Sequence, residues 1–115
     1  MTGGPVKKYV FAKARFTAVH SWPACPHESV AYLRHPHRHE FHVEIRAEVQ
    51  HNDRAVEFIM LKHDLEVVIK QWHNKDCRST SCEQFAEEIA LAFKGNVTYV
   101  SVSEDGENGA IIEVT

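Results

Sequence analysis

The chain has 115 residues, enough for one domain, residues 1–115, with a single modest core and too few for two. Its 43% hydrophobic and 25% charged residues are ordinary globular composition and exclude a disordered polar chain. The formal charge of -3, with no lysine/arginine stripe, argues against a nucleic-acid-binding surface.

The first element is read from "KYVFAKARFTAVH". Val10, Ala12, Ala14, Phe16, Ala18 and His20 share one parity and point to one face of a strand. The next segment, "SWPACPHESVAYLRHP", has prolines at 23, 26 and 36 and no clean period, so it reads as a loop. Then Phe41, Val43, Ile45, Ala47 and Val49 alternate with His42, Glu44, Arg46, Glu48 and Gln50, which is a half-buried strand.

Beyond "HNDR" the period changes. Phe58, Leu61, Leu65, Val68 and Trp72 recur at steps of three and four, predicting an amphipathic helix with Asp53 as N-cap. A second helix opens at "TSCE", where Thr80 and Glu83 have capping-box spacing. Its apolar stripe is Phe85, Ile89 and Phe93, and Gly95 closes it. Two short strands, "VTYVSVS" and "AIIEVT", flank the turn "EDGENG".

The order strand, strand, helix, helix, strand, strand predicts an α+β fold: an antiparallel four-stranded sheet with both helices on one face. Such a sheet leaves two edges open, which favours a homo-oligomer. No apolar run approaches a membrane span, and "MTGGPVKKYV" lacks the apolar core of a signal peptide. Cys25, Cys77 and Cys82 form no CxxC pair, so a reduced, cytoplasmic setting fits. Cys77 and Cys82, at the start of the second helix, read as incidental.

The stretch that carries chemistry is "HPHRHEFHVEI", residues 35 to 45. His35, His37 and His39 share parity with Phe41 and Val43, whereas His42 points to the other face with Glu44 and Arg46. If the first two strands are neighbours, His20 meets the His37/His39 pair on one sheet face. Three neutral imidazoles with an open fourth position suit catalytic zinc, and no nearby thiolates suggest a structural finger. His35/His37 is the alternative pair, but Pro36 disfavours regular pairing there.

In sequence order the chain resembles the 6-pyruvoyl-tetrahydropterin synthase and 6-carboxytetrahydropterin synthase family. "FTAVH" is similar to its Phe-x-Ala-x-His start, and "HRHEFHVEI" to its His-Gly-His-Asn-Tyr-x-Val signature. "AVEFIMLK" and "SCEQFA" resemble its two helix starts, and "VSEDGENGA" its Val-x-Glu-Thr loop. The resemblance implies a tunnelling fold of ββααββ units closing into multimeric barrels, hence a trimer or hexamer. It implies a Zn2+-dependent reaction on 7,8-dihydroneopterin triphosphate, of the 6-carboxy type that feeds deazapurine and queuosine synthesis. By this resemblance His20, His37 and His39 would hold the zinc. Glu104 would anchor the pterin, a carboxylate accepting two parallel hydrogen bonds from the amino-pyrimidine edge.

The chain departs from that family where a base is needed. The family cysteine before the His-x-His pair is missing from "SVAYLRHP", and the Asp-His pair after the first helix becomes Trp72-His73. His-Gly-His has become His-Arg-His. His73 survives from the pair, and Cys25, His35 or Glu28 are the conceivable replacements for the thiol. Two functions follow: a divergent zinc-dependent pterin synthase, or a non-catalytic binding protein that keeps metal and pterin or purine pockets.

Overall fold

The computed structural model describes residues 6–115. Residues 1–5, part of the stretch read for a leader, lie outside the described residues. The order is β1 (Lys8–His20), β2 (His37–Val49), α1 (Phe58–Ile69), α2 (Cys82–Ala92), β3 (Tyr99–Glu104) and β4 (Asn108–Glu113). All four strands pair antiparallel in the order β1-β2-β3-β4.

The alternation in β1 and β2 decides which face is dry. Phe16, Phe41, Val43 and Ile45 are buried on one face of the sheet, where they meet Leu61 and Leu65 of α1 and Phe85 and Ile89 of α2. Both helices therefore cover the same face, as the strand parities require. The centre is aromatic: Phe16 stacks on Phe41 at 5.0 Å between centroids, and Phe85 meets both rings edge-on. Truncating Phe85, which is fully buried, would cost about 3–5 kcal/mol from lost burial and the cavity left behind.

Local starts differ from the sequence expectation. Asp53 does not cap α1; Glu57 does, its carboxylate accepting from the Ile59 amide at 2.8 Å. Asp53 instead pairs with Arg54, whose positive φ of 54° interrupts any helix there. Phe58 consequently sits in the first turn and is exposed, while the buried stripe is Leu61, Leu65 and Ile69. The capping box of α2 also lies one residue on, between Ser81 and Gln84. The Thr80 hydroxyl turns the other way and donates to the Cys77 carbonyl at 2.7 Å. The segment between β1 and β2 is not wholly irregular, since Glu28–Arg34 forms 3-10 turns.

The end of β1 is not a bare edge. The segment after α1 runs beside it, with Asn74 N–H donating to Thr17 O, Val19 N–H to Lys75 O, and Cys77 N–H to Val19 O. Among the described residues no helix is long and apolar enough to cross a membrane.

Candidate metal centre and pocket

The β1–β2 register builds the site. His20 pairs with His37 and Ala18 with His39, so three imidazoles emerge on the core face at the end of the hairpin. Their ring centroids lie 4.5 Å (His20–His37), 5.0 Å (His37–His39) and 5.6 Å (His20–His39) apart. The β2–β3 ladder then sets Glu104 opposite Phe41. One donor atom from each of His20, His37, His39 and Glu104 falls within 4.8 Å of the others.

Each imidazole is held by its far nitrogen. His20 Nδ1 donates to Thr80 O at 2.8 Å, His37 Nδ1 to His35 O at 2.8 Å, and His39 Nδ1 to Asp105 Oδ2 at 2.7 Å. Carbonyl and carboxylate oxygens only accept, so these partners put the proton on Nδ1 and leave an Nε2 lone pair facing the cluster. This is the arrangement of metal-ligating histidines, whose second nitrogen is oriented by an acceptor.

The near nitrogens fit a cation. Nε2 of His20 and of His37 are buried without a hydrogen-bond partner among the described residues. His20 Nε2 lies 2.9 Å from Glu104 Oε2 without hydrogen-bonding geometry, and His39 Nε2 is 3.6 Å from Glu104 Oε1. A lone pair facing a carboxylate oxygen at that distance is repulsive unless a proton or a cation lies between them. Imidazole nitrogens with one carboxylate are a borderline-soft donor set that suits zinc and has no thiolate.

A pocket of about 380 Å³ opens beside the cluster, lined by His20, His37, Glu104, Trp22, Cys82 and Glu83 among others. A larger recess of about 760 Å³ is lined by Lys13, Arg15, His42 and Glu44 and contains none of the four cluster residues. The chemistry therefore points to the smaller one. Burial pushes the Cys82 thiol up to about 12, with Glu104 and Glu83 adding to the effect. Its sulfur is a neutral thiol on the pocket wall.

Not every residue singled out from the sequence reaches this place. The His35 ring is exposed, and what His35 contributes is its backbone carbonyl. Cys25 is buried within its own loop, with Sγ near the His27 and Val30 carbonyls at 3.8 and 3.9 Å. Glu28 is tied to Arg34 at 2.9 Å. His73 lies on the β1 edge, where its Nδ1 accepts the Thr17 amide at 3.1 Å. None of these four lines the pocket.

Two residues that sequence reasoning passed over do belong here. Glu83 looked like a capping residue, but Gln84 takes that part and leaves Glu83 on the pocket wall. Asp105 looked like a turn residue. Its carboxyl is held below the ordinary range by the hydrogen bond to His39 and then by the Glu40 amide. The one available signal was its place next to Glu104 at the tip of a hairpin.

Solved structures share this architecture. Caenorhabditis elegans 6-pyruvoyl tetrahydropterin synthase superposes with a TM-score of 0.68 over 100% of both chains, at 13% identity. An uncharacterized protein from Wolinella succinogenes gives a TM-score of 0.74 at 12% identity, over 96% of this chain and 100% of that one. The likeness is one of fold. The chain thus has the α+β, ββααββ fold of 6-pyruvoyl tetrahydropterin synthase. No protein-family model matches the sequence, and no curated protein matches it.

Proposed function

We propose that this chain is a zinc-dependent lyase of pterin-synthase type, acting on 7,8-dihydroneopterin triphosphate as a 6-carboxytetrahydropterin synthase does. The observation that carries the reading is the histidine cluster. Three imidazoles present Nε2 to one point, each held by its Nδ1, beside a carboxylate and a pocket.

His20, His37 and His39 would hold the zinc, leaving its fourth position open beside Glu104. Bound there, zinc would supply a Lewis acid that polarises substrate oxygens and acidifies neighbouring protons. The chain's own residues do the rest. Glu104 and Glu83 are two carboxylates on one pocket wall, and either can accept the paired N–H donors of an amino-pyrimidine. Trp22, half-exposed on that wall, offers an apolar surface to a flat ring. The neutral Cys82 thiol can donate a hydrogen bond but does not act as a base near neutrality.

The test is direct. Zinc-loaded protein is incubated with 7,8-dihydroneopterin triphosphate, and products and released triphosphate are identified by mass. A 6-carboxy or 6-pyruvoyl tetrahydropterin product supports the reading; zinc uptake with unchanged substrate contradicts it.

One observation favours a second reading, a repurposed protein that binds metal and a pterin- or purine-like ligand without turnover. Cys25, His35 and His73 all stand away from the pocket of their own chain. Substrate binding without product in the same incubation would select it.

A further inference from the structure

We propose that Asp105 is a positioning residue for the metal centre, fixing the His39 ring in the one tautomer that can bind metal. The inference rests on the zinc reading above. It concerns a residue at which this chain carries a second carboxylate immediately after Glu104.

Of the three acceptors that hold the histidine rings, two are backbone carbonyls, Thr80 O and His35 O. Those are set by the fold. The third is the Asp105 side chain, whose Oδ2 lies 2.7 Å from His39 Nδ1. A charge-assisted bond of that length is stronger than its carbonyl counterparts and makes Nε2 a better electron donor. His39 is therefore the ligand whose donor strength a side chain controls.

The same carboxylate has a second task. Its Oδ1 accepts the Glu40 amide at 3.1 Å, and the Asp105 amide donates to Glu40 O at 2.7 Å. Asp105 stands one step beyond the last β2–β3 ladder pair, Phe41 with Glu104, and its side chain stands in for the missing carbonyl. Its φ of 58° lies in the left-handed region, which aspartate and asparagine tolerate better than most residues. One residue thus closes the hairpin, holds the neighbouring Glu104 at the cluster and orients His39.

The two tasks separate chemically. Asparagine fits the left-handed turn at least as well, but it has one acceptor oxygen where aspartate has two. If that oxygen keeps the Glu40 amide, the NH2 group faces His39 Nδ1. That favours the opposite tautomer, with the proton on Nε2 where the metal bond must form.

The experiment reads ring tautomers by long-range 1H–15N NMR in metal-free protein at one fixed, mildly alkaline pH. Wild type, D105N and D105G are compared, and zinc affinity is measured by competition with a chelator. The expected result is Nδ1–H on all three rings in wild type and a switch of His39 alone in D105N. Zinc affinity in D105N should fall roughly 10- to 100-fold with little change in melting temperature. D105G keeps the turn without any acceptor, so His39 should lose its uniform Nδ1–H form; this result decides the matter if D105N does not fold. Nδ1–H retained on His39 in both variants overturns the proposal, as does D105N zinc affinity within about twofold of wild type. Wild-type protein that takes no zinc defeats the metal reading instead, and the tautomers still decide the role of Asp105.

Discussion

His20 and His37 are a registered pair across the β1–β2 ladder, their rings 4.5 Å apart and both Nε2 atoms buried without a hydrogen-bond partner among the described residues. Leaving two such atoms unsatisfied costs about 1–3 kcal/mol each. A bound dication removes that cost, so occupancy should stabilise the fold.

Purified protein should therefore carry close to one zinc per chain and lose thermal stability on chelation. His20→Ala, His37→Ala and His39→Ala should each abolish tight binding. His42→Ala should not, because His42 lies on the other face and pairs with Glu40 at 3.0 Å. Plasma mass spectrometry of the metal content decides it; full zinc in the His37 or His39 variant would remove the site.

The open edges lead to the expectation of an oligomer. The far side of β4 and the part of β1 before Thr17 have no strand beside them among the described residues, and paired edges are how such sheets close. Light scattering at micromolar concentration should give a trimer or a hexamer. A monomer under those conditions contradicts the prediction.

The strand parities carried most of the fold and the heart of the site. Alternation alone set Phe16, Phe41 and His20 on one face, and the hairpin register then followed from the same pattern. What the sequence could not display was chemistry made by backbone atoms and by turns. The Thr80 and His35 carbonyls that orient two rings have no side-chain signal. Asp105 reaches His39 across 66 positions of chain through a turn conformation that a periodicity cannot encode. The helix starts lie one to four residues beyond the positions the capping patterns favour, with Arg54 at positive φ before α1 and Ser81 as the cap of α2. Capping patterns name several acceptors, and tertiary contacts choose among them.

Cys82 sets an alkaline limit. Its thiol is raised to about 12, so the folded state favours the protonated form. That stability is fully present below the unfolded-chain value of about 8.5 and is lost as pH rises through the folded value. Melting temperature should fall above about pH 9 in wild type, and the fall should be shallower in Cys82→Ala. Equal slopes in the two proteins would show that Cys82 is not the group responsible. Alkylation at neutral pH should also leave Cys82 unmodified in native protein.

Gly109 is fixed by contact rather than by conformation. A Cβ there would lie 2.1 Å from Val102 O and 2.5 Å from Ser103 Cα, both backbone atoms that no rotamer change can move. Gly109→Ala should therefore destabilise the fold by about 2 kcal/mol or more. Because the β3–β4 hairpin carries Glu104 and Asp105, zinc affinity should fall with it. A variant with wild-type melting and zinc affinity would mean that the strands separate there at little cost.

Turnover also needs a residue that moves a proton. A general base must come within hydrogen-bond reach of the substrate proton, and the three catalytic candidates lie outside the pocket of their own chain. Cys25 is enclosed by its loop, and the His35 ring points to solvent. His73 differs from both. Its Nδ1 is taken by the Thr17 amide, so the proton is on Nε2 and the ring can act as a proton donor rather than as a base, exposed at the edge of the sheet where a second copy can approach. His73→Ala should then depress turnover by roughly a hundredfold or more with zinc content unchanged, whereas Cys25→Ala and His35→Ala should stay close to wild type. Mixing inactive His73→Ala with inactive His37→Ala should restore part of the activity, because a mixed oligomer joins an intact metal centre of one copy to an intact His73 of another. If the mixture exchanges subunits and stays dead, the site is not shared. If Cys25→Ala alone is dead, the loop must open during turnover and the thiol is the base after all.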